Sequence, residues 1–177
     1  MLLKLLAERK EAILRRWVDA VIETYPADSR EFLTSKKSPF TNPVGHAIKD
    51  GIAALYQKLL GEEHPSSASP AIDKLMRIRA VQDLSPSEAV GFVFALKEII
   101  RDEVSEADPG ELRALDSRID MLGLMLFDVY SKCRERLYEV RVNEIRRRTE
   151  RLLRLANIVY DLPDEGNGAE DRLEHEE

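Results

Sequence analysis

His46 and Asp50 stand one helical turn apart in "HAIKD", a spacing at which two side chains on one face can share a metal ion. Two ligands do not make a site, and the simpler reading is the polar face of a partly exposed helix. His64 follows Glu62 and Glu63 in a loop, and His175 lies in an acidic stretch; neither has further ligands around it. The single cysteine, Cys133, excludes an internal disulfide framework and a cysteine-rich zinc site. It falls on an apolar stripe, which favours a core position over a redox sensor. No GxGxxG, P-loop, GxSxG, HExxH or CxxC occurs. The expectation is therefore no catalytic residue, no metal and no cofactor.

The other chemistry on offer is charge. Arg141, Arg146, Arg147, Arg148, Arg151 and Arg154 form a basic run. Arg141, Arg146 and Arg148 are the candidate contacts to an acidic partner or to phosphates, and a solvated helix face explains them equally well. Between Lys132 and Arg154 there are nine basic and four acidic residues; between Asp161 and Glu177 there are eight acidic residues and one arginine. The acidic stretch could fold back and neutralise the basic one. The net charge of -6 argues against a general nucleic-acid binder.

These groups must be held by helices. The chain has 177 residues, 44% hydrophobic and 34% charged, with no regular strand alternation. Its start, "MLLKLLAERKEAILRRW", lacks the pattern of a signal peptide. No apolar run approaches the roughly 20 residues that a membrane helix needs. A cytoplasmic protein without a membrane anchor is expected.

Residues 2–24 read as a helix with Leu3, Leu6, Ile13, Trp17 and Val21 on one face. "ADSREFL" reads as a short helix anchored by Phe32 and Leu33. Asn42-Pro43 is an N-cap followed by a proline in the first turn, and Gly61 ends that helix. Its inward residues are Val44, Ala47, Ile48, Ile52, Leu55, Tyr56 and Leu59. Residues 71–82 give a helix carrying Ile72, Leu75, Met76 and either Ile78 or Arg79. Ser85-Pro86-Ser87-Glu88 is a capping box that opens a helix to Arg101, uncharged from Ala89 to Leu96. Such a helix should be surrounded by protein. Gly91 would allow a close neighbour, while Phe92 and Phe94 point to different sides. These three line either ordinary core or a small apolar ligand pocket.

Asp108-Pro109-Gly110-Glu111 opens the last helix, and no proline follows until Pro163. A helix of about 50 residues would be roughly 75 Å long. Part of it must project, bend back or meet another chain. Leu112, Leu115, Ile119, Leu122, Leu126, Val129 and Cys133 recur at steps of three and four. That register then fails, and a second seam runs through Tyr138, Val142, Ile145, Thr149, Leu152, Ala156 and Val159. The first seam is read as core. The second is a candidate association surface of coiled-coil type, carried by Tyr138, Val142, Ile145, Leu152 and Val159. Self-association as a dimer is one reading of it. A parallel homodimer would set Arg141 against Arg146 of its mate, which favours another partner, an antiparallel pairing or packing back on the domain.

Three blocks together, "ILRRWVDAVIETYP" (13–26), "FTNPVGHAIKDGIAALY" (40–56) and "IRAVQDLSPSEAVGFVFALKEIIR" (78–101), resemble the N-terminal domain of RsbR-type co-antagonists, the RsbRD subtype. The likeness covers about residues 5–105. It implies a bacterial, cytoplasmic, all-α sensory module, globin-like without haem. In that family the module usually precedes a STAS domain, which a partner kinase phosphorylates. No α/β pattern is read between residues 105 and 177, so the phospho-acceptor surface of a STAS domain is not expected within these residues.

The expected architecture is all-α: a compact bundle of about five helices with a very long C-terminal helix. Residues 1–135 would form the sensory domain, 136–162 a coiled-coil-like extension, and 163–177 an acidic, disordered tail. The expected function is a non-enzymatic signalling module acting through protein partners. The alternative is a small-ligand or haem-binding globin-like carrier. A DNA-binding regulator ranks last, since the helix after the capping box is too apolar to read bases.

Overall fold

Residues 1–35, 38–61, 68–82 and 84–156 are described by a computed structural model, and these contain eight helical segments and no strand. They are α1 (Leu2–Glu8), α2 (Lys10–Ile22), α3 (Ala27–Thr34), α4 (Pro43–Leu60), α5 (Pro70–Val81), α6 (Pro86–Gly91), α7 (Ala95–Glu103) and α8 (Pro109–Leu155). The larger number, against about five expected, comes chiefly from two interruptions. The first is at Arg9, whose backbone leaves helical geometry between α1 and α2. Leu2 and Leu6 are the buried residues of α1, and Leu3 is exposed, so the inward face begins one residue earlier than expected.

The start signals act as their chemistry requires. Asn42 is buried; its Oδ1 accepts from the Gly45 N–H at 2.9 Å while its Nδ2 donates to the carbonyls of Phe32 at 3.0 Å and Leu33 at 3.1 Å. One side chain thus satisfies the open end of α3 and the open start of α4. Leu33 is buried, but Phe32 is exposed and does not anchor α3. Ser69 caps α5, and Ser85 with Glu88 forms the expected capping box. Helices α4 and α5 pack closely: a Cβ at Gly51 would lie 2.7 Å from the Leu75 Cβ. A glycine is required there because α4 lies against α5.

The second interruption corrects the expected strut from Ser85 to Arg101. It is two helices, α6 and α7, separated at Phe92, Val93 and Phe94. Around the break the backbone makes i→i+3 bonds, from Val93 to Val90, Phe94 to Gly91 and Lys97 to Phe94. Side chains from other helices hold it. Arg79 donates from Nε to the Ala89 carbonyl at 2.7 Å and from Nη2 to the Glu88 carbonyl at 2.8 Å. Trp17 donates from Nε1 to the Phe92 carbonyl at 2.9 Å. Carbonyls at the break are thereby satisfied in the interior.

The chain divides into one unit from Met1 to Leu137 and a second beginning at Tyr138. In the first, Leu115, Ile119, Leu122, Leu126 and Cys133 of α8 are buried in a core shared with Trp17, Ile48, Leu55, Tyr56, Leu75 and Leu96. Ion pairs Lys97–Asp120 and Arg101–Asp116 fasten α8 to α7. The hydroxyl of Tyr130 donates to the Leu84 carbonyl and Nη1 of Arg134 to the Ala80 carbonyl.

Candidate functional site

Gly91, Phe92 and Phe94 separate once the helix breaks. Phe92 belongs to the core, its ring centroid 6.3 Å from that of Trp17. Phe94 is 44% exposed, and Gly91 is exposed with open space where a side chain would be. Gly91 therefore has no close neighbour among the described residues, contrary to expectation. The glycine that does so is Gly123 on α8. A Cβ there would lie 2.6 Å from Cζ of Phe94, so the ring sits directly on the backbone of α8. Sequence reasoning missed Gly123 because a glycine between leucines on a long helix carries no sign of what crosses it.

Phe94 and Gly123 floor an open groove of about 630 Å³ between α6 and α8. Val90 and Gly91 form one wall, and Leu124 and Phe127 the other. Among the described residues Ser87 is the one side chain of the lining with a polar atom, and none is titratable. Such a surface can take up apolar groups but offers neither an acid nor a base. Lys97 flanks it, with Nζ 5.8 Å from the Phe94 ring centroid and 2.6 Å from Asp120.

Behind this break lies a feature the sequence left undecided between Ile78 and Arg79. Arg79 is fully buried. Its guanidinium reaches the Thr24 hydroxyl at 3.1 Å, and its Cζ stands 5.1 Å from the Phe92 ring centroid and 5.8 Å from that of Tyr25. No carboxylate pairs with it among the described residues. Burial pushes its pKa below the usual arginine value. Carbonyl oxygens and aromatic faces compensate the charge. The buried Tyr25 hydroxyl beside it makes no hydrogen bond of good geometry among the described residues.

The candidate metal pair does not grow into a site. Among the described residues no group of three or more His, Cys, Asp or Glu could hold a metal ion. His64 and His175 lie outside the described residues. Cys133 is buried, and burial raises its thiol pKa, which disfavours the reactive thiolate. Among the described residues no helix is long and apolar enough to cross a membrane.

In the second unit the seam residues Tyr138, Val142, Ile145 and Leu152 are all exposed, Ile145 at 64% and Leu152 at 66%. Val159 lies outside the described residues. Arg141 and Arg146 are exposed beside the seam, and Arg148 forms an ion pair with Glu144 one turn earlier.

This arrangement is an all-α bundle bearing an apolar groove and a basic, apolar-striped helix. Residues 11–155 match the family model described as the RsbT co-antagonist protein rsbRD N-terminal domain, and the chain belongs to that family. The match takes in the bundle and α8 as far as Leu155, well past residue 105 where the sequence likeness ended. The family is a regulatory and sensory one, related to RsbR-type regulators of the stress response, which act in protein complexes. The chain is also 24% identical over 136 residues to an uncharacterized protein of Archaeoglobus fulgidus, covering 76% of this chain and 83% of that one. No solved structure matches it.

Proposed function

We propose that this chain is a non-enzymatic sensory module that passes a signal to protein partners by direct contact. In this reading residues 1–135 receive the signal and the helix from residue 136 onward passes it on; residues 157–177, which take in the end of the expected extension and the expected acidic tail, lie outside the described residues. The observation that carries the reading is membership of the rsbRD N-terminal family across residues 11–155. The exposed stripe of Val142, Ile145 and Leu152 supports it, since an apolar face left open on a helix is a site for another protein. The test is cross-linking of the full chain in native cells, then identification of what it captures. Regulatory proteins such as STAS-domain proteins or their kinases are expected. Recovery of the chain alone under every stress condition would overturn the reading.

A second reading rests on the groove. Its apolar lining and Phe94 floor suit a small apolar ligand, which would make the protein a ligand carrier or ligand-gated sensor. Haem is the weaker form of this reading, because an axial ligand is needed and His46 on α4 does not line the groove. Native mass spectrometry of the purified chain decides: a co-purifying apolar molecule favours the carrier, and a Soret band favours haem.

A further inference from the structure

We infer that the exposed Val142, Ile145 and Leu152 face docks an amphipathic helix of a different protein, one whose apolar seam is flanked by Asp and Glu. The inference rests on the protein-contact reading above and specifies the partner's chemistry. The seam advances by four, three, four, three and four residues from Tyr138 through Val142, Ile145, Thr149 and Leu152 to Ala156. That alternation gives the narrow stripe of a coiled-coil seam. Beside it, Arg141 and Arg148 line one flank, and Glu139 and Arg146 the other. Flanking positions choose the partner, because their side chains meet those of the neighbouring helix.

A second copy of this chain is a poor occupant. In a parallel pair Arg141 faces Arg146 of the mate. In the antiparallel pair that overlaps residues 138–156 fully, Arg146 faces Arg146 and Arg148 faces Arg148. Like charges at those positions oppose both homodimers. A uniformly anionic surface fits poorly too. Glu139, Glu144 and Glu150 alternate with the arginines, so a nucleic-acid backbone or an acidic bilayer meets repulsion along with attraction. A helix that offers carboxylates only opposite Arg141, Arg146 and Arg148, and aliphatic side chains between them, satisfies both features.

The test uses the full chain and two peptides spanning residues 138–156. One has the native sequence; the other carries Arg141→Glu, Arg146→Glu and Arg148→Glu. The inference predicts that the full chain binds the Glu-bearing peptide about tenfold more tightly than the native one. The advantage should fade as salt rises from about 0.05 to 0.5 M. Ile145→Lys with Leu152→Lys in the full chain should abolish binding while leaving its melting temperature unchanged, which excludes misfolding as the cause. Equal affinity for the two peptides would overturn the inference. So would a wild-type dimer dissolved by those lysines, or binding to duplex DNA or phosphatidylglycerol vesicles without binding to the acidic peptide. If both peptides fail yet cross-linking in cells still captures regulatory proteins, only the partner chemistry is wrong and the signalling reading stands.

Discussion

Residues 112–133 and 138–155 of α8 share one kind of apolar repeat and have opposite fates. Leu115, Ile119, Leu122, Leu126 and Cys133 are buried, whereas Val142, Ile145 and Leu152 are exposed. The two stretches have similar residue types at similar steps. What differs is the company. The first stretch belongs to the core cluster and is tied down by Lys97 and Arg101 of α7, by the Phe94 ring on Gly123 and by the bond from Tyr130 to the Leu84 carbonyl. The second has arginines on both sides of its stripe, and these keep solvent or recruit acids. A helical apolar period therefore reports that a face can be covered, and the flanking charges report by what.

The comparison breaks most sharply at Ile119. Ile119→Lys places an ammonium in the core and should cost at least about 4 kcal/mol, a large part of a marginal domain's stability. Loss of a cooperative melt by circular dichroism is the expected reading. Next comes Arg79→Ala. It removes the donors of the Glu88 and Ala89 carbonyls and leaves a void between Tyr25 and Phe92. About 2–4 kcal/mol should be lost in urea titration.

Gly123→Ala tests the floor of the groove. The new methyl would collide with Phe94, but that ring is half-exposed and can swing away. A gain of about 0.5–1 kcal/mol from alanine in the helix should offset much of the cost. The melting temperature should move by less than about 5 °C, while the Phe94 ring resonances shift in the NMR spectrum.

Acid should have a smaller effect. Hydrogen bonds from the Ser85 hydroxyl and backbone N–H hold the Glu88 carboxyl below its usual pKa. A depressed folded pKa adds stability that is present above the unfolded value and is lost as pH falls through the folded one. Glu88→Gln should flatten that part of the stability profile below about pH 5. The smallest effect belongs to the second stretch: Ile145→Lys with Leu152→Lys should leave the melt unchanged. A steep drop instead would show that this seam is part of the fold, and the contrast within α8 would collapse.

The sequence by itself determined the elements whose signals are local. Asn42-Pro43 and Ser85 to Glu88 start helices because a side-chain oxygen and a preset proline act within a few residues. The inward residues of α4 and the seam from Leu112 to Cys133 follow from a 3.6-residue period that any core will exploit. The tertiary structure alone decided where that logic is overruled. The run from Ala89 to Leu96 reads as one continuous helix, yet it breaks at Phe92 to Phe94, where Trp17 takes up the Phe92 carbonyl and Arg79 those of Glu88 and Ala89 just before it. Gly91 looks like the contact glycine, yet Gly123 carries Phe94, because a close approach depends on two helices crossing. A buried arginine held by carbonyls and aromatic rings cannot be read from a polar letter on an amphipathic helix. Its oxygens and rings come from Thr24, Tyr25, α6 and Phe92, and only folding brings them together.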